Sequence, residues 1–349
     1  MADREALLQR FLESAGWGAA ERRVLAADAS FRRYDRLTWD GKRAVLMDAP
    51  PPQENVDIFD FLAGCLDEIG LSAPQTLAID REAGFLLLED FGDTTFTRAL
   101  AEGADEAELY RLATDTLVAL HHGWWVESPK IPPYDEEKLL TEAALLVDWF
   151  LPAMTGRETP AAQRESYLAA WREVLPAMLP PADQVPHKLV LRDYHVDNLM
   201  VLEGREGVAR CGLLDFQDGV IGPISYDLVS LLEDARRDVS EAVVTEMLER
   251  YHAGMRNEID RWAFTASYYA LGAQRNAKII GIFTRLSRRD GKHGYLQHIP
   301  RVWRLLEGDL RQPVLAPVKD WFDREAPAAL RGVPARPHED PDTQEETKV

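Results

Sequence analysis

Polar residues that could carry out chemistry stand close together in the segment L-R-D-Y-H-V-D-N, residues 191–198. Asp193 could accept a proton from an attacking hydroxyl, and the amide oxygen of Asn198 is a ligand type that Mg²⁺ prefers. An apolar run farther along the chain ends at Asp215, which adds a carboxylate. These groups suit phosphoryl transfer from ATP, which needs a carboxylate beside the hydroxyl and oxygen ligands for magnesium. The alternative is that Asp193 and Asp197 are turn residues and Asp215 caps a helix.

The elements around this segment are predicted to bring its polar groups together. Residues 199–202 and 208–214 are apolar and read as two strands, and the residues between them have turn character. A hairpin brings its two ends together. Asp193, Asn198 and Asp215 should therefore converge in space.

The chain divides into a part with strand patterns and a part with helical patterns. Residues 1–90 show strand patterns, with a hairpin predicted at the Asp40-Gly41 pair. A polar hinge follows, and residues 91–333 are mostly of helical period. Residues 334–349 have no periodicity and are predicted to form a disordered tail. The fold class predicted from these patterns is α+β.

Composition and charge narrow the function classes. The 349 residues are 46% hydrophobic and 28% charged, as in globular proteins, and no apolar run is long enough to span a membrane. The net charge of −19 argues against nucleic acid as a partner, because its phosphates would be repelled. The two cysteines lack metal-ligand spacing and predict free thiols in a reducing cytoplasm. The oligomeric state stays open, with a monomer favoured.

The motifs resemble those of the aminoglycoside phosphotransferase-like family, which carries H-G-D-x-x-x-x-N in its catalytic loop and an aspartate motif at its magnesium site. Here L-R-D-Y-H-V-D-N and D-F-Q-D stand at those places. The resemblance implies a bilobal protein-kinase-like fold, with a small antiparallel-sheet lobe and a larger helical lobe. It also implies ATP and Mg²⁺, with Asp193 as the base and Asn198 and Asp215 on the metal. In G-P-I-S-Y-D-L, Asp227 resembles the family's aspartate that braces the catalytic loop.

Other segments resemble, more narrowly, a group of cell-wall sugar kinases within that family. They are D-A-S-F-R-R-Y, M-D-A-P-P and Q-R-N-A-K. The group phosphorylates the anomeric hydroxyl of N-acetylmuramate and N-acetylglucosamine in peptidoglycan recycling, which implies a small amino sugar as the acceptor. The candidate nucleotide-binding residues are Asp28, Ala29, Ser30, Arg32, Arg33, Glu89, Asp90 and Phe91. The candidate acceptor-binding residues are His195, Gln217, Asp218, Tyr269, Gln274, Arg275 and Asn276.

A basic island lies between Arg275 and Arg301, where seven Lys and Arg residues accompany a single acid, Asp290. It reads either as a solvated helix face or as the wall of a pocket for an anionic acceptor. N-acetylmuramate carries a carboxylate, which Arg275 or another member of the island could bind through two parallel hydrogen bonds.

Two residues depart from the family's pattern. Leu191 stands where the catalytic-loop histidine is expected, and Met47 stands where a lysine on the third strand would contact the ATP phosphates. Positive charge on the phosphates would then have to come from magnesium, together with Arg32 or Arg33 as candidates. Two alternatives stay open: a nucleotide-binding pseudokinase, because the lysine is missing, or a kinase for another small alcohol such as an aminoglycoside, choline or homoserine.

Overall fold

Five antiparallel strands form the sheet predicted for the N-terminal part of the chain. The computed structural model of the chain describes residues 2–27, 31–256 and 258–336. The strands run in the order β1-β2-β3-β5-β4 across the sheet. They are β1 (Glu21–Ala27), β2 (Arg33–Trp39), β3 (Lys42–Asp48), β4 (Thr76–Asp80) and β5 (Phe85–Glu89).

The hairpin between β2 and β3 confirms the prediction made from the Asp40-Gly41 pair. Trp39 pairs with Lys42, so the two central residues alone make the turn. Their φ angles are 50° for Asp40 and 72° for Gly41. Glycine and, among other residues, aspartate tolerate this left-handed conformation, which matches the twist of the flanking strands.

One face of the sheet is covered by α1 (Ala2–Ser14). Leu8, Phe11 and Leu12 of the helix pack with Leu37, Ala44, Leu46, Phe85 and Leu87 of the strands. Successive side chains of a strand point to opposite faces. Ala44 and Leu46 therefore face α1, and Val45 lies on the other face, toward the cavity described below.

The remaining regular elements of the described residues are mainly helical. The helices are α2 (Val56–Glu68), α3 (Phe96–Ala101), α4 (Glu106–Gly123), α5 (Glu136–Leu145), α6 (Leu151–Thr155), α7 (Ala161–Met178), α8 (Ser225–Leu232), α9 (Glu241–Gly254), α10 (Arg261–Asp290), α11 (Ile299–Asp309) and α12 (Ala316–Glu325). The short strands are β6 (His187–Val190), β7 (Leu199–Val201), β8 (Cys211–Leu213) and β9 (Val220–Pro223). No described helix is long and apolar enough to cross a membrane.

The chain forms two units of packed residues. The first unit comprises the described residues of Met1–Pro132, Lys188–Val220 and Thr245–Met255. It therefore joins the five-stranded sheet to the segment that contains the predicted catalytic loop. The predicted division into lobes at residue 90 stays a prediction, and most of the predicted tail, residues 337–349, lies outside the described residues.

The second unit comprises the described residues of Pro133–His187, Ile221–Val244 and Arg256–Val349. Its central element is the 30-residue α10, which packs against α5, α8 and α11. Asp260 caps α10 by accepting a hydrogen bond from the Ala263 N–H at 2.8 Å. Apolar and polar residues of α10 are both buried, so its polar side chains need internal partners.

Candidate active site

The polar loop between β6 and β7 lies next to the end of β8 in the first unit. Leu199 of β7 pairs with Leu213 of β8, and the Leu214 N–H donates to the Asn198 carbonyl at 3.0 Å. The hairpin thus places Asn198 and Asp215 at the same end. The second strand is shorter than predicted, because Gly207–Arg210 forms a 3₁₀ turn before β8 begins.

Three predicted site residues converge at this end of the hairpin. The Asn198 amide nitrogen, Nδ2, donates to the backbone carbonyl of Asp193 at 3.0 Å and lies 3.5 Å from Asp215 Oδ2. The Gln217 side chain donates to Asp215 Oδ1 at 2.7 Å. Asp215 has a φ of 57°. A non-glycine residue held in the left-handed region is uncommon and is concentrated at functional sites.

The loop backbone around Asp193 is held by contacts with α3 and α4, while Asp193 itself is exposed. Tyr194 is buried and its hydroxyl donates to the Ala113 carbonyl of α4 at 2.8 Å. The His195 N–H donates to the Asp193 carbonyl at 3.2 Å, and His195 as a whole is 6% exposed. Asp197 accepts a hydrogen bond from the Thr97 hydroxyl. The two aspartates of the loop thus differ: Asp197 fastens it to α3, and Asp193 faces outward.

The donor set at the hairpin end fits Mg²⁺. An amide oxygen and a carboxylate are hard oxygen ligands, and Mg²⁺ needs few protein ligands because it keeps waters and binds substrate phosphates. Among the described residues, no group of three or more His, Cys, Asp and Glu side chains is arranged to hold a metal ion. A metal site here would therefore rest on Asn198 together with Asp215.

A cavity of about 490 Å³ adjoins these residues within the first unit. Its apolar walls include Leu25, Val45, Leu88, Met200 and Leu214. Its polar lining contains Asn198 and Asp215, and a third side is formed by residues 89–93. An apolar slot with a polar end has the form expected for a purine base that leads to a phosphate chain.

The acidic side chains of the predicted hinge are bound by arginines that the sequence patterns did not single out. Arg36 of β2 donates to Asp90, to the Gly92 carbonyl and to Asp93, at 2.9, 2.8 and 2.7 Å. Glu89 accepts a hydrogen bond from Arg205, which follows β7. With the carboxylates occupied in this way, backbone groups of the hinge are the candidates for contact with a base. That role for Glu89, Asp90 and Phe91 stays a prediction.

Gly212 of β8 lets the hinge approach the hairpin closely. A Cβ added at this position would lie 2.9 Å from Phe91 Cδ2 and 3.0 Å from Met200 Cβ. Both neighbours line the cavity. We expect Gly212→Ala to lower the free energy of unfolding by about 1–3 kcal/mol through overpacking. We also expect this substitution to weaken ATP binding. Urea denaturation measures the loss of stability, and calorimetric titration measures the loss of ATP affinity.

The matched control is Gly64→Ala in α2, where an added Cβ would meet no atom within 4 Å. Alanine inside a helix is favoured over glycine by about 1 kcal/mol, so this variant should be slightly stabilised and bind ATP normally. Equal ATP affinity in the Gly212→Ala and Gly64→Ala variants would show that ATP binding does not depend on the close approach of Phe91 to Gly212.

The candidate phosphate-binding residues are placed differently by the structure. Asp28, Ala29 and Ser30 lie outside the described residues. Arg32 is buried, and its guanidinium is 3.5 Å from Asp215 Oδ1. Arg33 is half-exposed and pairs with Asp35 at 3.0 Å. This ion pair does not involve Asn198 or Asp215.

The candidate acceptor residues fall into two groups. His195, Gln217 and Asp218 belong to the first unit, and Asp218 is exposed beside the buried Gln217. Tyr269, Gln274, Arg275 and Asn276 lie on α10 in the second unit. An acceptor role for either group stays a prediction.

The α10 candidates make internal contacts in the second unit. The Gln274 amide donates to the Leu139 carbonyl at 2.9 Å. The Arg275 guanidinium donates to the Glu233 carbonyl and to the Ser230 hydroxyl, at 3.2 and 2.9 Å. The Asn276 amide donates to the Glu233 carboxylate at 2.7 Å. These three side chains are buried and hold α10 to its neighbours, whereas Tyr269 is only partly buried.

Two members of the basic island are paired with acids from other parts of the second unit. Lys278 pairs with Glu142 at 3.0 Å, and Arg301 pairs with Asp238 at 2.9 Å. The sequence count of a single acid in the island missed these partners, because they come from distant segments. Asp227 is fully buried in the first turn of α8, and its bracing role stays a prediction.

Comparison with known proteins identifies the class to which this fold and site belong. A choline/ethanolamine kinase family protein from Mesorhizobium loti has a similar structure, with a TM-score of 0.60 and 14% identity over 94% of this chain and 99% of that one. The fold is accordingly the α+β, bilobal kinase-like fold, as predicted. The phosphotransferase enzyme family model matches residues 21–264.

Two curated relatives are similar over most of the chain. A Caulobacter vibrioides protein named N-acetylmuramate/N-acetylglucosamine kinase is 38% identical over 95% of this chain and 99% of its own length. A Pseudomonas aeruginosa protein of the same name is 38% identical over 89% of this chain and 91% of its own length. The chain belongs to the phosphotransferase enzyme family. It is thus a kinase-type enzyme, with ATP as the phosphoryl donor that the family implies.

Proposed function

We propose that this enzyme transfers the γ-phosphoryl group of ATP to the anomeric hydroxyl of N-acetylmuramate and N-acetylglucosamine. The observation that carries the proposal is the convergence of Asp193, Asn198 and Asp215 at one end of the β7–β8 hairpin. The choice of acceptor rests on the name shared by relatives that are 38% identical over most of the chain. The products, sugar 1-phosphates, belong to the recycling of cell-wall sugars.

In this proposal Asp193 accepts the proton of the acceptor hydroxyl while that oxygen attacks the γ-phosphorus and ADP leaves. The exposed carboxylate on an anchored loop suits this role, because the acceptor can reach it while its position stays fixed. Asn198 and Asp215 would hold Mg²⁺, which neutralises phosphate charge when it is bound. The cavity walls would exclude water from the base of the nucleotide.

The test is phosphoryl transfer by the purified enzyme with Mg-ATP and a panel of acceptors. We expect turnover with N-acetylmuramate and N-acetylglucosamine and none with choline, homoserine or an aminoglycoside. ADP formation measures the rate, with the acceptor-free reaction as the background. Acid lability and ³¹P NMR distinguish a sugar 1-phosphate from a phosphate at another hydroxyl. Chelation by EDTA should abolish turnover, and added Mg²⁺ should restore it.

Other results of the same panel would reject the proposal in different ways. Turnover with a cationic alcohol and no amino sugar would assign the enzyme to a different acceptor class. An acid-stable sugar phosphate would keep the amino sugar and reject the anomeric position. ATP binding without turnover on any acceptor would contradict catalysis itself.

A further inference from the structure

The structure shows which side chain stands near the metal-ligand candidates where a third-strand lysine is missing. Met47 of β3 is buried, with 1% of its surface exposed, and it pairs with Tyr34 of β2 and Leu86 of β5. It carries no charge. Phosphoryl transfer still requires positive charge on the phosphates beyond what a metal ion supplies.

Arg32 lies directly before β2 and is turned toward the hairpin end. One guanidinium nitrogen is 3.5 Å from Asp215 Oδ1 and 3.7 Å from Asp218 Oδ2. The Arg32 side chain is 7% exposed, so solvent and salt screen its charge weakly. Arginine keeps its positive charge at physiological pH, so Arg32 is a cation at this position.

Glu54 holds Arg32 and the adjoining backbone in place. One carboxylate oxygen of Glu54 is 3.8 Å from the Arg32 Nε, and the other accepts a hydrogen bond from the Phe31 N–H at 3.3 Å. Glu54 directly precedes Asn55, which caps the N-terminus of α2. The carboxylate thus links α2 to the chain that leads into β2.

The neighbouring Arg33 is arranged differently, although it has the same charge. Its guanidinium donates to both oxygens of Asp35, at 3.0 and 3.2 Å, and half of its side-chain surface is exposed. Its charge is neutralised by the ion pair with Asp35 and screened by solvent. Arg33, the other arginine candidate, is consequently expected to contribute less to phosphate binding than Arg32.

We propose that Arg32, held by Glu54, binds the terminal phosphates of ATP in place of the missing lysine. The Arg32 guanidinium lies 3.5 Å from the Asp215 carboxylate, which would hold Mg²⁺, so phosphates bound to that metal would lie near the guanidinium. Arginine can bind phosphate oxygens through two parallel N–H groups. The inference rests on the proposed function for its chemistry, but not on the identity of the acceptor.

The test compares nucleotide binding by the parent enzyme and by the Arg32→Gln, Arg32→Lys and Arg33→Gln variants. Calorimetry with the non-hydrolysable ATP analogue AMP-PNP in Mg²⁺ should show a loss of roughly tenfold or more for Arg32→Gln. Arg32→Lys should recover part of that loss, since lysine keeps the charge without the two-pronged geometry. Binding of adenosine should be unchanged in all variants, and Arg33→Gln should lose less AMP-PNP affinity than Arg32→Gln.

Glu54→Gln tests the positioning role separately. This change keeps the shape of the side chain and removes the charge that faces Arg32. We expect a smaller loss of AMP-PNP affinity than for Arg32→Gln and no further loss in the double variant, because both changes act on one guanidinium.

Three outcomes would overturn the inference. One is unchanged AMP-PNP affinity in Arg32→Gln. Another is an equal loss for adenosine and AMP-PNP, which would mean that the whole pocket is damaged. The third is a loss of turnover confined to N-acetylmuramate, which would make Arg32 an acceptor ligand. Because AMP-PNP binding needs no acceptor, a failure of the sugar assay would leave this test intact.

Discussion

Asp193→Asn is expected to lower kcat by about 10²–10⁴-fold, the range typical of a lost general base. The amide cannot accept the proton of the attacking hydroxyl. The loop itself should survive, because the substitution leaves in place the hydrogen bond from Asn198 to the Asp193 carbonyl and the one from the Tyr194 hydroxyl to the Ala113 carbonyl. Nucleotide affinity should stay within about twofold of the parent's. Steady-state kinetics and AMP-PNP titration measure the two quantities.

Asp197→Asn is the matched control, because it changes the other aspartate of the same loop. Asp197 accepts a hydrogen bond from the Thr97 hydroxyl, which an amide oxygen can also accept. This variant should keep a kcat within a few-fold of the parent's. If Asp193→Asn retained comparable activity, Asp193 would not be the base.

The second large effect concerns stability and the buried carboxylate pair, Glu233 and Asp309. Asn276 donates to both carboxylates, at 2.7 and 3.0 Å. Burial raises the pKa of Glu233 to about 7. Burial, followed by the charge of Glu233, raises the pKa of Asp309 well above its usual value. The folded chain therefore holds protons that the unfolded chain releases.

The sign of the pH dependence follows from these raised pKa values. The stability that the pair contributes is complete below about pH 4, the pKa range of carboxylates in the unfolded chain, and it is lost as the pH rises through the folded-state values. For each retained proton, the free energy of unfolding should fall by about 1.4 kcal/mol per pH unit. Urea denaturation between about pH 5.5 and 8.5 measures this slope.

Glu233→Gln should reduce the slope of the free energy of unfolding against pH by the contribution of about one proton, roughly 1.4 kcal/mol per pH unit, because the amide does not titrate. Its oxygen can still accept from Asn276. The variant should therefore be more stable than the parent at alkaline pH. This difference in stability should shrink as the pH falls. Glu158→Gln, at an exposed position of the same unit, is the control and should keep the parent's slope. An identical slope in Glu233→Gln and the parent would contradict buried proton retention.

Local patterns predicted the parts of the fold and site that depend on neighbouring residues. The Asp40-Gly41 turn carries its conformation in its residue types, and the convergence of Asn198 with Asp215 follows from a single hairpin. Strand β9 (Val220–Pro223) was not predicted, because glycine and proline have low strand propensity. Its assignment depends on tertiary context.

Contacts between distant segments were beyond sequence patterns. Arg36 and Arg205 bind the hinge from positions 54 and 116 residues away in sequence, and nothing in their own surroundings marks them. The same holds for Glu54, whose link to Arg32 depends on how α2 is placed. The acceptor residues remain the least determined part, because their choice on α10 rested on residue type, and three of them are used inside the second unit.

The β7–β8 hairpin has a consequence for the length of the ligand. One end carries Asn198 and Asp215, and beyond the other end Arg205 binds Glu89 and lies over the Phe91 ring at 5.2 Å. Three paired residues at about 3.4 Å each span roughly 10 Å. The length of the hairpin therefore sets the distance between the hinge and the metal-ligand candidates. We expect a nucleoside triphosphate to span that interval, and a donor with a shorter phosphate chain to fall short of one end.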